Sequence, residues 1–84
     1  MGTKPVKELR SLYDNVGPFC EGLAWAHKGG KWFHIRPDGT PAYTQVFDQV
    51  YSFENGVAWA FDRGRHIRIN PQGEEVNTRG ERVK

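Results

Sequence analysis

Two stretches of the chain decide its fold, because one nearly repeats the other. Residues 13–39 read YDNVGPFCEGLAWAHKGGKWFHIRPDG, and residues 47–73, placed 34 positions later, read FDQVYSFENGVAWAFDRGRHIRINPQG. Eleven of these 27 aligned pairs are identical and the alignment needs no gap. Such self-similarity at a fixed period indicates tandem duplication. A unit of this length is too small to bury its own apolar face, so we predict that the two copies stack on a shared core.

Each copy carries the pattern of a β-hairpin. The side-chain pattern has a period of two, as in a strand, in Gly22–His27 and in Lys31–Arg36. Glycines 29–30 between these segments mark a tight turn. A Pro-Asp-Gly turn follows at residues 37–39. The second copy carries the same signals. We therefore predict an all-β fold of two tandem stacked β-hairpin repeats of 34 residues, with five to seven short strands.

The sequence leaves the hairpin register open. A two-residue loop would place Trp25 opposite His34, whereas a three-residue loop with a bulge would place it opposite Phe33. The first choice requires a positive φ at Arg63 in the second copy, which is costly for a residue with a side chain. It also places a close-packing set on one face: Ala24, Ala26, Phe33 and Ile35.

The 84 residues suffice for a single domain, 1–84. We assign repeat one to about 13–46 and repeat two to about 47–76. Residues 77–84 have almost no apolar content and are predicted to form a flexible tail. The N-terminal segment Pro5–Tyr13 has apolar residues at helical spacing and could form a short capping helix. Repeat symmetry favours an extended strand that ends at Tyr13, and we prefer that interpretation.

A basic and aromatic face is the candidate binding surface. In either register, Trp32, His34 and Arg36 lie on one face of the second hairpin strand, and His66 and Arg68 share the equivalent face of the second copy. The opposite, apolar side should face the core. Trp, Tyr and Arg are enriched at interface hot spots, so we predict these five residues as partner-binding.

Four further residues receive structural predictions. Trp25 and Trp59 have small or apolar neighbours, which favours a place in the core over a place in a contact surface. Asp14 and Asp48 occupy equivalent positions in the two copies, and we predict that they stabilise turns by accepting hydrogen bonds from backbone amides.

The repeated pattern resembles the WG-repeat family. In the first copy it runs from Phe19 and Gly22-Leu23-Ala24 through Gly30-Lys31-Trp32 to Ile35 and Gly39, and it recurs 34 residues later. The Trp-Gly pair that names the family is Trp32-Phe33 here and His66-Ile67 in the second copy. The resemblance implies short β-hairpin repeats in series, mostly in bacterial proteins, and it brings no catalytic residues with it.

Composition and spacing argue against several function classes. No spacing typical of a catalytic triad or a phosphate-binding loop is present, and Cys20 has Glu54 at its equivalent position, so nothing requires a thiol there. We predict no enzymatic activity, no cofactor and no small-molecule substrate. His27, His34 and His66 have no spacing that would bring them to one metal ion, so we predict no metal site. The single cysteine and the absence of a long apolar run favour a cytoplasmic protein that does not bind a membrane.

Protein binding or self-association is therefore the leading function. Stacked repeats leave open ends, and exposed strand edges pair readily with another chain. The alternative is nucleic acid, since aromatic rings can stack on bases while cations meet phosphates. The net charge of +2 permits an anionic partner without requiring one.

Overall fold

The computed structural model describes residues 6–83, which form one helix and seven short strands. The strands make two antiparallel sheets, one per repeat, with orders β1-β2-β3 and β4-β5-β6-β7. The predicted all-β fold of two tandem repeats is confirmed. The elements in chain order are α1 Val6–Leu12, β1 Asn15–Val16, β2 Ala24–Lys28, β3 Lys31–Ile35, β4 Gln49–Val50, β5 Ala58–Asp62, β6 Arg65–Ile69 and β7 Glu75–Val76.

The central hairpin of each repeat has a two-residue loop. Trp25 lies opposite His34 in repeat one, and Trp59 lies opposite Arg68 in repeat two. Arg63 accordingly adopts a φ of 55°, the strained conformation that argued against this register at the level of sequence. Burial of the small and apolar face outweighs that local strain, because a shift of register by one residue would turn this face toward water.

The two predicted turn-stabilising aspartates hold the hairpin tips. Asp14 Oδ2 accepts a hydrogen bond of 2.9 Å from the amide of Gly29, and Asp48 Oδ2 accepts one of 3.0 Å from the amide of Arg63. Each carboxylate thus binds the first residue of a tight turn in its own repeat. The bond to Arg63 supports a side-chain-bearing residue in a conformation that normally favours glycine.

The core consists of two clusters related by the repeat. Four residues of the first cluster have their counterparts in the second cluster 34 positions later: Val16, Ala24, Ala26 and Ile35. The first cluster comprises Leu9, Val16, Ala24, Ala26 and Ile35. The second comprises Tyr43, Phe47, Val50, Phe53, Ala58, Ala60 and Ile69.

The N-terminal segment is a helix, so the preference for an extended strand was wrong. Leu9 is fully buried in the first cluster, at the place that Tyr43 occupies 34 residues later in the second. Among the described residues, no hairpin precedes the first repeat for an extended segment to pair with. A helix satisfies its own backbone hydrogen bonds and still delivers one apolar side chain to the core. Within residues 6–83, no helix is long and apolar enough to cross a membrane.

The last described residues fold back on β7. Asn77 donates its amide to the carbonyl of Glu81, and Val83 donates to the carbonyl of Glu75, which places Val76 opposite Arg82. After β7, residues 77–83 therefore do not continue along the outer edge of β6. Flexibility of residues 77–84 stays a prediction.

Candidate functional site

The face of repeat one that was predicted to point outward is the surface on which repeat two packs. We call it the covered face and define it by Trp25, Trp32 and His34. Trp32 and Phe47 exchange two backbone hydrogen bonds of 2.9 Å across the junction, and the His34 ring lies 4.5 Å from the ring of Phe53. Strand alternation was predicted correctly, but the covered face is an interface within the molecule.

His34 is fully buried at this junction, which corrects its placement on an outward, partner-binding face. Its Nε2 lies 2.8 Å from the carbonyl oxygen of Tyr51, and its Nδ1 lies 2.6 Å from the hydroxyl of Tyr43. A carbonyl only accepts, so Nε2 carries the proton, and Nδ1 accepts from the Tyr43 hydroxyl. Burial lowers the pKa of His34 to about 4 and raises the pKa of Tyr43. His34 is therefore a neutral, fully hydrogen-bonded group at the junction, and its bond to Tyr51 is the one that crosses between the repeats.

Trp25 is half-buried over Gly17. A Cβ atom added to Gly17 would lie 2.1 Å from Nε1 of the Trp25 indole, so only glycine permits this arrangement. The ring centroids of Trp25 and Trp32 are 5.1 Å apart, and His27 stacks on Trp32 with a centroid separation of 4.9 Å. Trp25 also packs against the second cluster, which agrees with its predicted place in the core.

Within residues 6–83, nothing equivalent to repeat two packs on the corresponding face of repeat two. We call it the open face and define it by Tyr51, Trp59, His66 and Arg68. Trp59 is 44% exposed and Tyr51 is 42% exposed, so the prediction that Trp59 belongs to the core was wrong. Tyr51 also stands where Gly17 stands in repeat one, and the close contact at Gly17 shows that a residue with a Cβ at this position excludes an indole placed like Trp25.

Arg68 stacks on Trp59, with its guanidinium carbon 4.3 Å from the ring centroid. The two residues form a cross-strand pair, and such a cation–π contact stabilises a sheet. Arg68 makes no ion pair within residues 6–83. His66 is exposed, with its ring 4.9 Å from that of Phe61. The open face thus combines exposed aromatic rings with a cation that can still bind an acceptor.

The strand edge beside the open face is unpaired at His66, because β7 pairs only with Arg68 and Ile69 at the end of β6. In repeat one, the outer backbone groups of Trp32 bond to Phe47. His66 is the equivalent of Trp32, and within the described part of the chain its outer amide and carbonyl have no such partner, because residues 77–83 fold back on β7. An unpaired edge next to exposed aromatics is the arrangement that accepts an added strand.

The five predicted partner-binding residues therefore separate. Arg36 holds the turn after β3, since its guanidinium donates to the carbonyl of Pro41 at 2.8 Å, while Trp32 and His34 lie at the junction. Only His66 and Arg68 belong to the open face. Sequence reasoning missed Tyr51 and misplaced Trp59. The difference between Gly17 and Tyr51, which align with each other in the two repeats, was a usable signal.

The three histidines lie in different surroundings and do not meet. His27 stacks on Trp32, His34 is buried at the junction and His66 lies on the open face. Within residues 6–83, no group of three or more His, Cys, Asp or Glu residues is arranged to hold a metal ion.

Comparison with known proteins gives one positive result. The sequence model of the family described as "WG containing repeat" matches residues 11–32 and 37–64, which together make up more than half of the chain. Comparisons with curated proteins and with solved structures gave no match.

Proposed function

This chain belongs to the WG-repeat family, and from this premise we propose that it is a non-enzymatic module that binds a protein partner through the open face of its second repeat. One observation carries the proposal. The same face is covered in repeat one by Phe47 and Phe53 of repeat two, whereas in repeat two Tyr51 and Trp59 remain more than two-fifths exposed.

The residue types on the open face suit this role. Trp, Tyr and Arg are over-represented among residues that dominate binding energy, because each combines a large contact area with a directed polar group. Arg68 still has donors that could meet a carboxylate or a backbone carbonyl. His34, its equivalent in repeat one, uses its Nε2 donor on the carbonyl of Tyr51, which illustrates the kind of acceptor that fits here.

The internal junction suggests how a protein partner would dock. Trp32 joins the next repeat by two backbone hydrogen bonds, and the rings of repeat two then contact the covered face. A partner strand could add to the outer edge of β6 at His66 in the same manner. The partner could be another protein or a second copy of this chain.

A nucleic-acid partner is the second candidate, supported by the half-exposed Trp59 beside Arg68. Such a surface could stack a base and meet a phosphate. It offers few cations, so we rank it below protein binding. The two candidates differ in salt dependence: binding through phosphates weakens steeply as salt rises, whereas binding through an apolar contact does not.

The test is a pull-down from lysate of the source cells with and without nuclease, using two baits beside the wild type. Trp59→Ser with Arg68→Ala removes the centre of the open face. Leu12→Ser with Arg10→Ala removes an exposed apolar and a basic side chain from the helix and serves as the matched control.

A protein that survives nuclease, binds the wild type and the control, and is lost with the open-face variant would support the proposal. Equal recovery with both variants would refute the open face as the site. Proteins that disappear after nuclease would favour the nucleic-acid candidate. Sedimentation velocity of the purified chain would then separate self-association, which increases with protein concentration, from binding of a different protein.

A further inference from the structure

Four tight turns of this protein contain two successive residues with positive φ, at positions 21–22, 29–30, 55–56 and 63–64. Both central residues of such a type I′ turn present backbone N–H groups toward one side of the loop. Three of the four turns bind a carboxylate there. Two of these carboxylates are the aspartates at the hairpin tips, Asp14 and Asp48.

The third carboxylate comes from the neighbouring repeat. Glu21 of repeat one reaches the turn at Asn55 and Gly56 of repeat two, where its two oxygens accept hydrogen bonds of 2.5 Å from the Asn55 amide and 2.8 Å from the Gly56 amide. Each oxygen takes one N–H, so the contact is bidentate and charge-assisted. It links the two repeats through a side chain on one and a backbone turn on the other.

The fourth turn has the same shape and no carboxylate. Glu21 and Gly22 have φ values of 55° and 85°, against 56° and 84° for Asn55 and Gly56. Both turns are closed by a pair of backbone hydrogen bonds between their flanking residues. Glu21 and Gly22 are exposed, and within residues 6–83 no group accepts a hydrogen bond from either amide.

We propose that the Glu21–Gly22 turn is a carboxylate-binding site that receives an Asp or Glu side chain of a protein partner. The equivalent turn one repeat later shows the ligand and its geometry. A second copy of this chain is poorly suited to supply that ligand. The residue that corresponds to Glu21 in repeat two is Asn55, whose neutral side chain carries a single acceptor oxygen. By the repeat relation, the partner approaches from the side of repeat one that faces away from repeat two, so this site is separate from the open face.

The experiment follows backbone amide resonances in ¹⁵N-labelled protein. The probes are sodium acetate, the blocked peptide acetyl-Ala-Glu-Ala-amide and its matched control acetyl-Ala-Gln-Ala-amide. In the wild type, the amide protons of Glu21 and Gly22 should move downfield and saturate with acetate and with the Glu peptide, and should barely move with the Gln peptide. The amides of Asn55 and Gly56 should stay in place, because Glu21 already occupies them.

The variant Glu21→Ala provides an internal reference. It frees the second turn and keeps the first, so all four amides should now respond to acetate with similar saturation curves. Silent amides at residues 21–22 would overturn the proposal, whether or not those of Asn55 and Gly56 respond in the variant. A response to acetate without a response to the Glu peptide would overturn the assignment to a protein side chain. Trp59→Ser should leave the titration unchanged, so this test is independent of the open face.

Discussion

Acidification from pH 8 to pH 5 should destabilise this protein through His34. The imidazole is fully buried, with its Nε2 proton donated to the carbonyl of Tyr51 and its Nδ1 lone pair occupied by the hydroxyl of Tyr43. A second proton would have to enter at Nδ1, where it would face the hydroxyl hydrogen of Tyr43 and place a charge between the two repeats. Both effects oppose protonation in the folded state.

The magnitude follows from the shift of the pKa. Burial lowers the pKa of His34 from 6.5 to about 4, and its hydrogen bond to the Tyr51 carbonyl opposes only part of this effect. Between these values the unfolded chain binds a proton that the folded protein does not, so stability is complete above pH 6.5 and declines as the pH falls toward 4. The linkage relation gives a loss of about 2 kcal/mol at pH 5 and about 3 kcal/mol below pH 4. For a domain of this size, about 2 kcal/mol corresponds to a fall of roughly 10 °C in Tm.

The assay is urea denaturation followed by tryptophan fluorescence at pH 8, 6.5, 5 and 4, at constant ionic strength. The control is His34→Gln, which keeps a side-chain amide able to donate and accept at the junction and removes the titrating group. The variant should be less stable at pH 8 but should lose about 2 kcal/mol less than the wild type on going to pH 5. Parallel pH profiles for the two proteins would refute the assignment to His34.

Three other substitutions test the packing. Gly17→Ala should displace the Trp25 indole and cost about 1–3 kcal/mol of unfolding free energy, measured by urea denaturation, with a red-shifted tryptophan emission; an unchanged spectrum would contradict the close contact. Arg63→Gly should relieve the strain of a positive φ and stabilise the protein. The gain should be about 1 kcal/mol or less, because the freedom of glycine in the unfolded chain offsets part of it; a lower urea midpoint would count against this account. Leu9→Ala should cost about 2–5 kcal/mol and reduce the helical circular dichroism signal, whereas an exposed-site control, Leu12→Ala, should change stability little.

The two-repeat fold could be predicted because the periodicity is visible in the sequence alone. The 34-residue offset predicted two units, and the alternation around Trp25 and Trp32 predicted their hairpins. It also predicted that Asp14 and Asp48 hold turns; the turns are the hairpin tips 15 residues further along the chain, at Gly29 and Arg63. Alternation correctly assigned His34 and Trp32 to one face, because successive strand residues must point to opposite sides.

Whether a face is covered was decided by the tertiary structure. The two copies carry equivalent faces, but the order of stacking buries His34 beneath repeat two and leaves its equivalent, Arg68, partly exposed. Likewise, the sequence could not choose between a helix and a strand before Tyr13, since that choice depends on what the first repeat has available to bury Leu9. The repeats and their strands could be predicted because they depend on the spacing of residues close together in the chain. The candidate site could not, because it depends on which face another repeat covers, and that is set by contacts between distant residues.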